Sequence, residues 1–294
     1  MKISEKMAQV VEPFPTPAHR EIVSIDPGIL IDDYKNPIKP VPTATAPKPY
    51  IRAESYLVGN LETGEIYIDL NSSKAYPIAS VSKLYTALVV HHLFDLEKDI
   101  VIDQSMLDAY GDGSHLSLGE KFKPNDLLYA LLLESSNDAA EAFARSFGYV
   151  NFMNEMNAFA KEIGMHNTYF KDASGLSPHN ISSAEDLFTF SKYLYKSEKD
   201  ILEISRTKEM DFATTTDHGF HHFVNINPFA AYGEFYGGKT GRTNEAKEAM
   251  VSLFNKKVVD KEYPLVVIVL RSDFGQREID TEKLLGLFMD KVSP

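Results

Sequence analysis

The sequence predicts an α+β fold in which an antiparallel sheet, built from strands at both chain ends, packs against a helical subdomain. Three observations predict it. Alternating apolar residues at Tyr56, Val58, Ile66 and Ile68 suit a half-buried hairpin near the start. Helical periodicity then dominates from Ala79 to about Phe94 and again over residues 124–200. Strand patterns return in Met250–Phe254 and in the continuous apolar run Leu265–Leu270. Strands at both ends with helices between them imply one sheet with a helical cluster against it.

The elements follow in order. Nine of the 15 prolines fall within residues 1–50, and a segment so rich in X-Pro cannot hold a helix. Residues 1–50 are therefore expected to form a Pro-rich arm, with Gly28-Ile29-Leu30-Ile31 as an apolar patch suited to docking, and residues 51–294 to form one folded domain. Ser55–Ile68 reads as a hairpin around the turn Glu62-Thr63-Gly64. A helix follows over Ala79–Phe94. Pro124 opens the next helix, carried by Leu127, Leu128, Ala130 and Leu131, and Ser183-x-x-Asp186 is a capping signal before Leu187. A closing helix is expected around Thr281–Asp290. There is no internal repeat.

Composition narrows the function classes. A net charge of −12 leaves no basic surplus to pair with phosphates, which argues against nucleic acid as a partner. The absence of cysteine removes disulfides, thiolate nucleophiles and cysteine-type zinc sites together, and suits an oxidising compartment. No stretch approaches the ~20 apolar residues of a membrane span. The opening MKISEKMAQVVEPFPTP lacks the apolar core of a signal peptide, so a signal or anchor for work outside the cytoplasm is expected to lie outside this chain.

Three short motifs carry the chemistry. Ser80-Val81-Ser82-Lys83 opens the helix after Pro77, and residues i and i+3 share a helix face, so the Ser80 hydroxyl and Lys83 amine meet. A serine hydroxyl needs an adjacent base to attack. Lysine serves only when neutral, which burial and a second nearby cation favour. Backbone N–H groups at the helix start favour a developing oxyanion. A Ser-x-x-Lys arises roughly once by chance in a chain this long, and a second copy, Ser205-Arg206-Thr207-Lys208, reads as a solvated turn. Ser135-Ser136-Asn137 follows the apolar run Leu131-Leu132-Leu133 and places a hydroxyl and an amide at a helix junction, facing a cleft or merely capping a helix. Lys239-Thr240-Gly241 combines a cation, a hydroxyl and close backbone approach, a seat for a carboxylate.

Ser-x-x-Lys, Ser-x-Asn and Lys-Thr-Gly in this order resemble the penicillin-binding protein and serine β-lactamase superfamily. The flanks resemble most closely the low-molecular-weight D-alanyl-D-alanine carboxypeptidases. They include Pro77–Lys83, Leu118-Gly119-Glu120, Leu127–Ala140, Gly164–Phe170, Ser182–Leu187 and Gly238–Thr243, and the likeness runs over roughly residues 52–290. The resemblance implies a β-lactamase/DD-peptidase-like fold and cleavage of D-alanyl peptide bonds in peptidoglycan stem peptides outside the cytoplasm, at the periplasm or cell surface. It implies penicillin binding and no cofactor or metal, and is silent on oligomeric state. By the same implication Ser80 forms the acyl-enzyme and Lys83 takes its proton. Ser135 relays a proton to the leaving D-alanine, and Asn137 holds Lys83 and the substrate amide. Lys239 sustains the electrostatics, and Thr240 binds the terminal carboxylate. The backbone N–H groups of Ser80 and of Arg242, after Gly241, form the oxyanion hole. Arg277 matches a family arginine that helps seat the carboxylate, the other reading being an exposed ion-pair arginine. Where relatives carry Ala-Gly beyond the third motif this chain has Ala246-Lys247, so that strand is expected to pack differently. The second, β-rich domain of many relatives is not expected.

Other readings are weaker. Gly233–Thr240 fits the G-x-x-x-x-G-K-[ST] pattern, but a phosphate loop must follow a strand and open a helix, and Pro228-Phe229-Ala230-Ala231 is loop-like. His218, His221 and His222 lie close in sequence without a committed carboxylate and read as surface residues. A class A β-lactamase needs, by the same resemblance, a Glu-x-x-x-Asn, and none occurs between Asp138 and Gly238. A penicillin-binding sensor that keeps Ser80 but deacylates very slowly, and a D-alanyl cross-link endopeptidase, remain as alternatives to the carboxypeptidase.

Overall fold

The computed structural model describes residues 49–108, 111 and 115–293. All but the last two residues of the expected arm, its apolar patch included, lie outside the described residues. In chain order the elements are β1 (Ser55–Asn60), β2 (Ile66–Leu70), β3 (Tyr76–Pro77), α1 (Ser82–Leu93), β4 (Ile100–Val101), β5 (Lys121–Phe122), α2 (Pro124–Leu133), α3 (Asn137–Phe147), α4 (Tyr149–Glu162), β6 (Ile181–Ser182), α5 (Ala184–Ser197), α6 (Lys199–Arg206), β7 (Glu209–Phe212), β8 (His221–Val224), β9 (Phe235–Thr243), β10 (Lys247–Val258), β11 (Lys261–Ser272) and α7 (Arg277–Val292).

The main sheet runs β2-β1-β11-β10-β9, antiparallel throughout. Strands from both chain ends interleave, as the pattern of apolar runs requires. β11 is central and covered on both faces, which explains its unbroken apolar sequence. Val266, Ile268 and Leu270 pack with the helical cluster. Leu265, Val267 and Val269 pack with Leu284, Leu285 and Phe288 of α7. α7 thus covers one face of the sheet, while α1 and its neighbours α2, α3, α4, α5 and α6 fill the other.

Local signals set several boundaries. Pro124 occupies the first turn of α2, where its missing N–H costs nothing. Ser183 caps α5, its hydroxyl accepting from the Asp186 N–H at 3.1 Å. The closing helix begins at Arg277, four residues before the expected start, for a reason outside its own sequence. The Glu248 carboxylate, from β10, accepts the N–H groups of Gly275, Gln276 and Arg277 at 2.8, 3.2 and 3.4 Å. It satisfies donors that a local cap would otherwise take.

The Ala246-Lys247 pair lies where the chain turns from β9 into β10. β9 pairs with β10 from Thr243 opposite Lys247 to Gly237 opposite Leu253 in one register. Lys247 takes a left-handed φ of +52°, the conformation a glycine adopts freely. Its amine reaches Glu54 at 3.2 Å and Asp273 at 3.1 Å.

Candidate active site

Ser80 lies in a tight turn, Ala79–Val81, that runs into α1. Ala79 has a φ of +49°, a strained conformation for an L-residue that neighbouring structure must impose. Ser82 donates to the Ala79 carbonyl at 2.8 Å, and the Asn180 amide donates to Ser82 Oγ at 3.0 Å. Two glycines close on the turn. A Cβ on Gly175 would stand 2.0 Å from the Ala79 oxygen, and one on Gly241 would stand 2.6 Å from the Ile78 oxygen and 3.0 Å from the Ser80 nitrogen. Only main chain fits there. The reason for glycine in the third motif is therefore this approach of β9 to the Ser80 turn.

One turn along α1, the Lys83 amine is fully buried and donates to three acceptors: Ser80 Oγ at 3.0 Å, Asn137 Oδ1 at 2.7 Å and the Ser174 carbonyl at 2.7 Å. The loop carrying Ser174 is held by Asp172, whose carboxylate accepts the N–H groups of Ser174, Gly175 and Ser177 at 2.9, 2.5 and 2.6 Å. The second motif falls between α2 and α3, and both of its readings are realised. Ser136 caps α3, accepting from the Ala139 N–H at 2.9 Å, while Ser135, at φ +65°, faces the cleft and Asn137 reaches Lys83.

The third motif lies in β9, the terminal strand of the sheet. Thr240, Gly241 and Arg242 line a cleft of about 390 Å³ together with Ser80, Ser135, Asn137 and Arg277. Lys83 and Lys239 are buried, at 0 and 2 % exposure. Burial first, then the nearby Lys83 and Arg277 charges, hold the Lys239 amine well below the usual lysine range. Its proton donates to the Thr240 carbonyl at 3.0 Å. Arg277 is paired with Glu278 and, more distantly, with Glu248, but it is not exposed. Its side chain is 15 % exposed and donates to the Gly241 carbonyl at 3.1 Å and to Glu278 at 2.7 Å. Arg242 is exposed, its guanidinium 5.0 Å from the centre of the Phe274 ring. Glu134, Leu176, Ile226 and Thr243 also line the cleft. Glu134 and Thr243 adjoin motifs, whereas Leu176 and Ile226 sit in loops without periodicity, and no sequence signal marks them.

Three sequence readings need correction. Ser205 is no solvated turn: it is 1 % exposed in the last turn of α6, where its hydroxyl accepts from the Gly238 N–H at 3.1 Å. α6 lies against β9, a tertiary contact that the polar flanks of Ser205 do not announce. Ser205→Ala is expected to leave that buried N–H unsatisfied and to destabilise the fold by about 1–3 kcal/mol, read as a lower midpoint in urea. His221 is 7 % exposed and pairs with Glu120 at 2.9 Å, so it is not a surface residue. Among the described residues no group of three metal-ligating side chains is poised to hold an ion. Pro228–Ala231 forms a 3₁₀ turn rather than a loop, and Phe235–Thr243 is strand, so the phosphate-loop pattern opens no helix.

A serine hydroxyl met by a buried lysine amine, beside the open edge of an antiparallel sheet, defines a serine hydrolase. A sequence profile of the family described as D-alanyl-D-alanine carboxypeptidase matches residues 42–273. The D-alanyl-D-alanine endopeptidase of Escherichia coli is 33 % identical over 81 % of this chain and 77 % of its own length. The D-alanyl-D-alanine carboxypeptidase DacF of Bacillus subtilis is 32 % identical over 69 % of this chain and 54 % of its own, so the chain spans about half of that relative. The crystal structure of a D-alanyl-D-alanine carboxypeptidase from Mycobacterium tuberculosis superposes with a TM-score of 0.75 at 26 % identity, covering 86 % of this chain and 96 % of that one. The chain belongs to the D-alanyl-D-alanine carboxypeptidase family.

Proposed function

We propose that the chain removes the terminal D-alanine from peptidoglycan stem peptides through an acyl-enzyme on Ser80, and that β-lactams acylate the same serine. The observation that carries this reading is the 3.0 Å contact between Lys83 Nζ and Ser80 Oγ, with Lys83 fixed by Asn137 and the Ser174 carbonyl. Burial and the repulsion between Lys83 and Lys239 resist two protons on the pair. With Lys83 neutral, Ser80 Oγ donates to Nζ across the 3.0 Å contact, and Lys83 takes that proton as Oγ attacks the D-alanyl carbonyl. The N–H groups of Ser80 and Arg242 receive the oxyanion. The C–N bond breaks as Ser135 passes its proton to the departing amine and recovers the one held by Lys83, and water later hydrolyses the ester. Among the described residues no strand pairs with the outer edge of β9, and its stretch from Thr240 to Thr243 lines the cleft and suits an extended peptide laid along it. Residues 51–294 form the catalytic domain on this reading, residues 1–50 an arm, and the site of action is extracytoplasmic. Among the described residues no helix is long and apolar enough to cross a membrane.

Thr240 and Arg277 form the seat for the terminal carboxylate. Thr240→Ala and Arg277→Ala are each expected to lower kcat/KM on a D-Ala-D-Ala peptide by about 1–3 kcal/mol of transition-state binding, because a charged group is left unpaired. Unchanged kinetics in Arg277→Ala would return that residue to a structural role at the start of α7.

A second reading, hydrolysis of D-alanyl cross-links, is favoured by the endopeptidase relatives from Escherichia coli, Pseudomonas aeruginosa and Haemophilus influenzae. Pentapeptide monomers and cross-linked dimers, incubated separately and followed by mass, separate the two. Repeated loss of one alanine from monomers with dimers intact supports the carboxypeptidase. Split dimers beside surviving monomers overturn it, and one equivalent of product per enzyme indicates a sensor.

A further inference from the structure

We infer that a groove between α1, α4 and α5, separate from the Ser80 cleft, is a binding site for an organic cation: an aliphatic chain that ends in a primary ammonium. Ser80 precedes α1 and the groove lies at the other end of that helix, roughly 15 Å or more along its axis. Two cavities of about 350 and 430 Å³ share Phe159, Glu162 and Tyr193 and together form the groove. Three helices end beside it: α1 at Leu93, α4 at Glu162 and α5 at Ser197. A helix carries a partial negative charge at its last turn, so the groove collects three of them. Side chains of the first cavity add to that field. Glu155, Phe159 and Glu162 stand at intervals of four and three along α4, on one helix face. Among the described residues neither Glu155 nor Glu162 is held in an ion pair, and no lysine or arginine lines that cavity. Lys161, next to Glu162, lines neither cavity.

The wall between the carboxylates is aromatic. The rings of Phe159 and Tyr193 meet at 88° with centroids 5.9 Å apart, and His92 closes the corner at 4.5 Å from Phe159. Such a corner turns π faces toward a cation, and Val89 and Leu93 offer an aliphatic stem its contact. Any charge on His92 is met by Glu198, 3.4 Å from Nε2. Behind the corner lies Tyr85, 1 % exposed, its ring centroid 6.5 Å from that of Phe159. Among the described residues its hydroxyl has no hydrogen-bond partner. Burial first, then the nearby Glu162 and Tyr193, push its ionisation up, so the hydroxyl stays neutral beside the same wall. A buried hydroxyl left alone is uncommon and calls for a partner. A primary ammonium has three N–H donors to divide among this oxygen and the two carboxylates, whereas a trimethylammonium has none. Lys192 and Lys196 line the second cavity and repel a second ammonium, so the site selects a monoamine over a diamine.

Calorimetric titration of the whole protein tests this. n-Pentylamine at neutral pH is expected to bind saturably with a Kd of about 1 mM or below. Pentyltrimethylammonium, 1,5-diaminopentane and 1-pentanol are each expected to bind roughly fivefold or more weakly. The double variant Glu155→Gln with Glu162→Gln should lose roughly tenfold or more for the amine while 1-pentanol is unchanged. Tyr85→Phe should narrow the preference for the primary over the trimethylated amine to about twofold or less. Nα-acetyl-lysine amide carries the same stem on a backbone. Its binding more tightly than pentylamine marks a partner's lysine as the source of the ammonium, and its binding more weakly marks a free amine. Binding of 1-pentanol as tight as that of the amine reduces the groove to an apolar surface and overturns the inference. So does undiminished amine binding in the double variant, or no saturable binding up to about 10 mM. The wild-type series decides the matter even where a variant fails to fold.

Discussion

Ser80→Ala is expected to abolish both covalent labelling by a fluorescent penicillin and release of D-alanine, with kcat falling by roughly 10⁴-fold or more. The reason is chemical rather than structural. The methyl group keeps the turn intact but leaves no oxygen to form the ester, and Lys83 retains Asn137 and the Ser174 carbonyl as acceptors. Stability is therefore expected to change by only about 1 kcal/mol. Mass spectrometry of the wild type should show one adduct per chain, on the peptide containing Ser80. Ser205→Ala, which alters the second Ser-x-x-Lys, should still be labelled. Persistent labelling of Ser80→Ala, with loss in Ser205→Ala, would reverse the assignment of the two motifs.

Lys239→Met is expected to lower kcat by roughly 10²–10³-fold while stabilising the fold by about 1–3 kcal/mol. Lys239 is buried, and its amine titrates well below the ordinary lysine value. Below its folded-state titration both states bind the proton, and the folded protein bears the full cost of a desolvated cation. As pH rises through that point toward 10.5, the unfolded chain binds more protons than the folded one, so wild-type stability rises relative to the variant. The stability gap between Lys239→Met and wild type should thus be widest below the folded-state titration of Lys239 and narrow as pH rises from there toward 10.5. A gap that widens with pH would mean that Lys239 is stabilised as a cation.

Much of this site is legible in the sequence because its chemistry sits in short, contiguous motifs. An i, i+3 spacing on a helix brings Ser80 and Lys83 together whatever the rest of the chain does. The same holds for the sheet, where the short, β-branched apolar run 265–270 suits a strand covered on both faces. What escapes is whatever depends on a distant partner. Glu248 starts α7 from another strand, and Gln276 at the helix entrance supplies no side-chain cap, so the boundary has no local sign. Ser205 looks solvated among polar neighbours until β9 is laid against α6. β3 pairs with β6, and β4 with β5, over two residues each, too short for any period to register. Leu176 reaches the cleft from an irregular loop, and its position follows from the Asp172 cage rather than from a pattern.

The main-chain contacts around the nucleophile turn bear on how the protein tolerates mutation. Ile78, Ala79 and Ser80 are held between the backbones of two other segments, with no side chain interposed at Gly175 or Gly241. A peptide group presents the same surface whatever residue carries it, so exchanges of side chains elsewhere in those segments leave the seat of the reactive hydroxyl in place. Mutational sensitivity should then concentrate sharply, with Gly175→Ala and Gly241→Ala far more damaging than alanine at the positions beside them. Substrate preference is free to drift through the cleft walls while the point of attack stays fixed.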